Sequence, residues 1–277
     1  MELQTKRGTI FNLCLEIFLW LLSLTILCPI AVVVVNSLKT AAEADYLSLE
    51  LPAVFQFRNY VEVFQKADVV RCFGNSVVIT GVTVLLCVVL SSMAAYVLSR
   101  NRNRLSRFLF YLLLLGLVFN IAMIPTIKIM QSLKMMNTLT GLILVYTATS
   151  VSFCVFIYHG FVPTISTTID EAAIIDGCSP LRVFFQVIFP LLKPVNATIV
   201  IAVFVSIWNE FRMPLYLMND PKRWPITMTI YNFCGRYSSQ WNMVFADIVL
   251  VTLPIVIIYF LCQKYIIDGM TAGAVKG

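Results

Sequence analysis

A group of polar side chains over residues 208–212 interrupts a long apolar run of this sequence. The indole of Trp208 offers an aromatic face, and Asn209 and Glu210 offer hydrogen-bonding groups, so together they could contact a polar solute. Polar groups are costly inside a lipid bilayer, so each of these residues, and Asn120 in an earlier apolar run, is a candidate for substrate contact. The alternative for Trp208 and Asn209 is an ordinary contact between helices, and the two interpretations have equal weight.

A second polar segment, residues 164–194, separates two apolar runs. Thr168 and Glu171 have the spacing of a capping box, in which a hydroxyl and a carboxylate bind backbone N–H groups at a helix start. Gly177 is expected to end that helix, because glycine adopts the left-handed conformation without a Cβ clash. The pattern predicts a short helix followed by a tight corner.

A second helix is predicted after that corner. Ser179 is placed to cap it, and Pro180 is tolerated at its first position, where no N–H is needed. Pro190 and Pro194 are expected to break it before the next apolar run. The whole segment is therefore predicted to lie outside the bilayer, either as an ordered connector or as a surface for a partner.

Several classes of chemistry are disfavoured by the sequence. It contains neither a P-loop motif nor the H-E-x-x-H and G-x-S-x-G patterns of hydrolases. His159 is its single histidine, and none of its eight cysteines forms a C-x-x-C pair, so a metal site is disfavoured. A disulfide between Cys72 and Cys234 stays open. An intramembrane enzyme would need a nucleophile with its base or clustered metal ligands, and neither is evident.

The elements that must position these residues are membrane helices. The 277 residues are 60% hydrophobic and only 12% charged, which is typical of a polytopic membrane protein. A span needs roughly 20 apolar residues. We predict one all-α membrane domain over residues 1–277, with six transmembrane helices at 11–35, 75–98, 108–127, 141–162, 195–218 and 245–266. Hydroxylated residues of the fourth span, namely Tyr146, Thr147, Thr149, Ser150 and Ser152, are more readily explained by helix packing than by substrate contact.

The positions of Lys and Arg predict the orientation. Four arginines lie within residues 100–107, and Lys6 and Arg7 precede the first span. The 20 basic residues divide equally between the two sides of this topology, but they are denser on the side of both termini. Both termini, the 164–194 loop and the 267–277 tail are therefore predicted to be cytoplasmic, and loops 36–74 and 219–244 external. The net charge of +6 suits anionic lipid, and the absence of a basic stripe argues against nucleic acid.

The 164–194 loop resembles the cytoplasmic EAA loop of permease subunits from binding-protein-dependent ABC importers. The matching residues that the resemblance assigns to ATPase coupling are Glu171, Ala172, Ala173, Asp176, Gly177 and Pro190. In that family the first short helix of the loop docks into a cleft of the ATPase subunit. The resemblance implies the same role here, together with the fold of a type I importer permease.

Three other segments resemble the carbohydrate branch of that family. They are the W-N-E-F motif at 208–211, an F-x-N-Y stretch at 57–60, and an external "scoop" loop that reaches into a solute-binding protein. The predicted contacts of this loop are Phe233, Gly235, Tyr237 and Trp241. The tail is similar to that of one permease of maltose-type importers, which inserts between the ATPase subunits. Its matching residues are Thr271, Ala272, Gly273, Val275, Lys276 and Gly277.

The resemblance implies a transport subunit without a catalytic site or cofactor of its own. ATP and Mg²⁺ would be bound by a dimer of partner ATPases, and a homologous second permease would complete a heterodimer. The substrate would be a sugar or oligosaccharide delivered by an extracytoplasmic binding protein, at the plasma membrane of a bacterium or archaeon. The alternatives are another small polar solute, such as a polyol or glycerophosphodiester, and a stand-alone secondary transporter. The latter usually shows two similar halves with broken helices.

Overall fold

The computed structural model describes residues 6–101, 103–119, 121–235 and 239–274, and it is helical throughout. The helices are α1 Lys6–Ser37, α2 Ala41–Ala44, α3 Arg58–Lys66, α4 Val69–Arg100, α5 Arg104–Val118, α6 Met123–Ser132, α7 Leu139–Phe161, α8 Thr167–Ile175, α9 Pro180–Leu191, α10 Lys193–Trp208, α11 Arg212–Leu217 and α12 Trp241–Ala274. Short 3₁₀ turns lie at Val162–Thr164, Pro221–Arg223 and Ile226–Asn232. Within these ranges the only β pairing is an isolated bridge between Cys234 and Ser239.

Three stretches are long and apolar enough to cross a membrane as single helices. They cover Phe11–Ser37, Val69–Arg100 and Leu139–Thr164. Two bent helix pairs, α5 with α6 and α9 with α10, raise the number to five if each pair is one span, and Trp241–Ile257 is a shorter apolar helix. Large apolar side chains of the Phe11–Ser37 stretch are exposed over most of its length, as expected for a helix in lipid.

Two of the predicted spans are not single helices. The run at 108–127 is broken between Val118 and Met123. Pro125 lies in the first turn of α6, where a missing N–H costs nothing. The run at 195–218 is broken between Trp208 and Arg212. The segment 267–277, predicted as a separate tail, is continuous with α12 as far as Ala274.

The chain forms two compact units, of which one comprises residues up to Val69 and Thr229–Leu253. In this unit the F-x-N-Y stretch organises the chain around α3. The buried Asn59 donates from Nδ2 to the carbonyls of Ser37 and Lys39, at 2.8 and 2.9 Å, and its Oδ1 accepts from Asn242 Nδ2 at 3.1 Å. The Tyr60 hydroxyl is 2.6 Å from Ser37 Oγ. This motif therefore fixes the loop after α1.

The other unit comprises Val70–Met228 and the chain after Leu253. Its core forms where α4, α7, α9 and α10 bury apolar side chains together. The Tyr158 hydroxyl of α7 donates to Asn196 Oδ1 of α10 at 2.6 Å. A Cβ at Gly116 of α5 would lie 2.3 Å from Ser152 Oγ of α7, so glycine is needed for this close approach.

Candidate functional site

The start of α8 differs from the sequence prediction. Ser166, in the extended conformation, is the N-cap, and its Oγ accepts from the Thr168 N–H at 3.3 Å. The prediction of a capping box from Thr168 to Glu171 is therefore wrong. Thr168 already lies inside the first turn, with its hydroxyl 2.8 Å from that of Ser166. Ser166 takes the cap because its own backbone is extended there, a property that the spacing did not reveal.

The end of α8 confirms the prediction for Gly177. This glycine has φ +78°, and its N–H donates to the Ile174 carbonyl at 2.9 Å. The Cys178 N–H donates to the Ala173 carbonyl at 3.0 Å, which completes a Schellman motif. The motif closes the last turn of α8 and redirects the chain towards α9.

Helix α9 starts at Pro180, as predicted, and Ser179 occupies the N-cap position without a side-chain hydrogen bond to the helix. Its middle, Val183–Ile188, is a π-helix, closed by the Phe189 N–H bonding to the Phe184 carbonyl. After Pro190 the chain bends, and α9 and α10 meet at 79°. The predicted break near this proline is confirmed, and it sets α9 apart from the apolar α10.

An ion pair that the sequence analysis missed joins α8 to α4. Arg100 Nε lies 2.7 Å from Asp170 Oδ2, and the two side chains are only 17% and 11% exposed. The Tyr96 hydroxyl donates to Asp170 Oδ1 at 3.1 Å, and Arg100 Nη2 donates to the Ile165 carbonyl at 3.0 Å. The Tyr96 ring also lies 5.6 Å from that of Phe184 in α9. One end of α4 is therefore tied to both α8 and α9.

The opposite side of α8 presents an uncovered surface. Of the predicted coupling residues, Ala173 is buried, whereas Glu171, Ala172, Asp176, Gly177 and Pro190 are exposed. Ile174 and Ile175 beside them are 63% and 85% exposed, and Leu181 of α9 is 62% exposed. We call Glu171, Ala172, Ile174, Ile175 and Leu181 the α8 surface. Its exposed apolar side chains, outside the apolar runs, are typical of a protein contact.

The residues of the predicted sugar cluster separate in the structure. The Trp208 ring is buried, stacked at 5.3 Å on Phe204 and edge-on at 5.6 Å to Phe73. The Asn209 side chain is exposed and bonds back to the Val205 carbonyl at 2.9 Å. Glu210 stands at the break itself, where its Oε1 accepts from the N–H groups of Arg212 and Met213 at 2.7 and 3.2 Å. This carboxylate thereby starts α11 and explains why the predicted span is interrupted.

A cavity of about 420 Å³ adjoins this break. Its lining comes from α7, α10, the segment after α10 and the connection between α5 and α6. It consists of Ile121, Tyr146, Thr149, Ser150, Phe153, Ala202, Val203, Ser206, Ile207, Glu210, Arg212 and Met213. The volume lies in the range of small-molecule sites. Trp208 and Asn209 do not line it. Tyr146, Thr149 and Ser150 line the cavity. Thr147 and Ser152 do not line it and are buried, so only some of the hydroxylated residues of α7 serve helix packing alone.

Other predicted contacts are only partly described. Asn120, Tyr237, Val275, Lys276 and Gly277 lie outside the described residues. Thr271, Ala272 and Gly273 belong to the last turns of α12. In the predicted scoop loop, Phe233 is buried, and its carbonyl accepts from the Gln240 N–H at 3.1 Å. Gly235 and Trp241 are exposed. No group of possible metal ligands occurs among the residues that the structure describes.

Comparisons with known proteins identify a family and several relatives that this chain resembles. Residues 87–272 match the family described as binding-protein-dependent transport system inner membrane component. The chain is 35% identical over 253 residues to the melibiose/raffinose/stachyose import permease protein MelC of Bacillus subtilis, covering 90% of this chain and 91% of that one. It is 33% identical over 257 residues to AmyC of Thermoanaerobacterium thermosulfurigenes, described as a probable permease for starch degradation products, covering 92% and 93%.

The fold is also similar to that of a solved transporter. A chain of a bacterial ABC transporter involved in the import of the acidic polysaccharide alginate superposes with a TM-score of 0.84 at 24% identity. The match covers 96% of this chain and 99% of the other. The chain therefore has a fold that is already known from that structure.

Proposed function

Because this chain belongs to the family of binding-protein-dependent transport system inner membrane components, we propose that it is a permease subunit of an ATP-driven importer for a sugar or oligosaccharide. It is a multi-pass membrane protein, and its curated relatives are named as permeases for oligosaccharides and starch products. The observation that carries the proposal is the α8 surface, an apolar patch outside the spans beside Glu171.

In this proposal the α8 surface docks on a partner ATPase, with Gly177 ending the docking helix. Closure of an ATPase dimer around ATP and Mg²⁺ displaces α8. The Arg100–Asp170 pair passes that displacement to α4, and the Tyr96–Phe184 contact passes it to α9. The substrate path then opens alternately to the two sides, because nucleotide stabilises one packed arrangement over the other.

The cavity beside Glu210 is the proposed part of the sugar path. Its carboxylate, the Arg212 guanidinium and the hydroxyls of Tyr146, Thr149 and Ser150 supply donors and acceptors for sugar hydroxyls. The ring of Phe153 supplies an apolar face in the same lining. Trp208 and Asn209 stay predicted contacts of the path outside this lining. Asn120, which is not among the described residues, also stays a predicted contact.

The remaining features of the proposal concern topology and partners. We infer six crossings with both termini cytoplasmic, in the plasma membrane of a bacterium or archaeon. A homologous second permease completes the path, and the end of α12 reaches the ATPase dimer. The external loop of Gly235, Tyr237 and Trp241 meets the solute-binding protein. The chain itself needs no cofactor, because its partner holds ATP and Mg²⁺.

Co-purification tests this function. The tagged chain, expressed with its neighbouring genes, should bring down a second permease and an ATPase, and one sugar-loaded binding protein should stimulate ATP hydrolysis. A Glu171→Lys variant is the control, since it should lose the ATPase while keeping the second permease. A chain that purifies without a nucleotide-hydrolysing partner, yet still transports, would instead be a stand-alone transporter.

A further inference from the structure

A second cavity, of about 860 Å³, opens where the end of α4, the start of α5 and the segment from α7 into α8 meet. Its lining includes Arg100, Arg107 and His159, and hydroxyl or amide groups of residues such as Asn103 and Ser166. Among the described residues, none of those that line it is an aspartate or glutamate. A polar cavity with basic side chains and no acid on its walls favours an anionic occupant.

The two arginines of this cavity differ in what they already bind. Arg100 is held by Asp170 and by the Ile165 carbonyl. Arg107 is exposed, and none of the residues that the structure describes forms an ion pair with it. Of these two arginines, Arg107 is therefore the one available to an anion. A guanidinium suits a phosphate oxygen pair, because its parallel N–H groups can donate to both oxygens.

The surroundings of the cavity favour a lipid phosphate over a soluble one. Phe110 and Tyr111 line it, and the His159 ring stacks on Phe110 at 3.9 Å. Beyond Tyr111, α5 continues with exposed apolar side chains, Leu112 and Leu115, which are 51% and 53% exposed. The polar cavity and this apolar face are continuous along one helix. That combination matches a phosphate head group followed by acyl chains.

We propose that this cavity binds the phosphate group of an anionic phospholipid, with its acyl chains along α5. This lipid-binding proposal rests on the proposed function in one respect, because that function assigns this end of α4 to the cytoplasmic leaflet. Ser166 and Thr167, at the start of α8, also line the cavity. An occupied cavity would thus contact the base of the proposed docking helix, which makes the transporter dependent on anionic lipid.

Binding of short-chain lipids to the purified transporter, with the full chain and its partner subunits in neutral detergent, tests the proposal. Phosphatidylglycerol, phosphatidylcholine and inorganic phosphate are titrated separately at about 0.15 M salt. We expect phosphatidylglycerol to bind at least tenfold more tightly than the other two. Arg107→Ala should weaken it about tenfold, as expected for one charged hydrogen-bonded contact. Arg107→Lys should bind phosphatidylglycerol with intermediate affinity, because an ammonium keeps the charge but lacks the paired N–H donors of a guanidinium.

Arg104→Ala is the matched control, because Arg104 lies on the same turn of α5, is exposed, and does not line the cavity. Its effect should stay within about twofold, since salt screens exposed charges that make no contact. Equal losses in the two alanine variants would overturn the proposal in favour of general surface attraction. Equal binding of inorganic phosphate would overturn the lipid assignment, and equal binding of phosphatidylcholine would overturn the anionic one.

The outcome is separable from that of the proposed function. Binding is measured without ATP, sugar or binding protein, so an absence of lipid binding leaves the transport proposal untouched. Conversely, lipid binding that depends on Arg107 would stand even if no sugar were transported. Arg107 is exposed, so its substitution should leave the melting temperature of the transporter unchanged, which checks that the variant is folded.

Discussion

The pair between Arg100 and Asp170 offers the sharpest test of how α8 is coupled to the membrane helices. Substituting Asp170→Asn removes the charge but keeps an acceptor for the Tyr96 hydroxyl, and Arg100→Gln removes the opposite charge. Both side chains are largely buried, at 17% and 11% exposure, so the weak energies of surface pairs do not apply. Loss of one partner from a buried pair costs about 3–5 kcal/mol, and the partial exposure lowers our expectation to about 2 kcal/mol.

A loss of about 2 kcal/mol at the rate-limiting step of uptake corresponds to a roughly thirtyfold lower uptake rate. We expect each single variant to lower sugar uptake in proteoliposomes by about that factor. The ATPase should still co-purify, because the α8 surface is unchanged. The uptake rate of the double variant should be no lower than that of the less active single variant. This outcome corresponds to a coupling energy above about 1 kcal/mol in a double-mutant cycle.

Arg182→Gln is the matched control, because Arg182 is an exposed arginine at the start of α9. It should leave the uptake rate within about twofold. The reasoning is refuted if the two single effects simply add in the double variant, with a coupling energy under about 0.5 kcal/mol. It is equally refuted if the control loses as much activity as Arg100→Gln.

Four further variants test other parts of the molecule. Glu171→Lys should abolish uptake while the second permease still co-purifies, since the residue is exposed on the α8 surface; pull-down and uptake measure this. Gly177→Ala should cost about 1–2 kcal/mol because its φ of +78° is left-handed, and should lower the uptake per ATP hydrolysed. Glu210→Gln keeps the acceptor that starts α11 but removes the charge, and should raise the uptake KM about fivefold, whereas Trp208→Phe should leave KM within about twofold.

Each of these expectations has a result that would contradict it. Normal uptake by Glu171→Lys would remove α8 as the docking helix. An unchanged ratio of sugar uptake to ATP hydrolysis in Gly177→Ala would show that the corner between α8 and α9 tolerates a Cβ. A KM that rises more for Trp208→Phe than for Glu210→Gln would place the sugar beside the indole and outside the described cavity.

Local chemistry made much of the architecture predictable. The apolar runs predicted membrane helices, because some 20 apolar residues in succession are stable in a bilayer only as a span. The corner between α8 and α9 was equally predictable, since Gly177 is suited to a left-handed turn and Ser179-Pro180 to a helix start. These features depend on residues close together in the chain, so the sequence carries them directly.

The tertiary structure decided what depends on distant partners. Asp170 and Glu171 are adjacent acids, and only the position of Arg100 on α4 determines that the first is buried and the second exposed. The break after Trp208 likewise depends on where the Glu210 carboxylate finds backbone N–H groups.

Both cavities arise from helices far apart in the chain, and their walls cannot be inferred from spacing along a single helix. The sequence alone determined the apolar runs, the corner and the family resemblance. Packing decided which polar groups are paired and which are left to meet a ligand, because a charge in a largely apolar interior is stable only beside a partner that the fold brings to it.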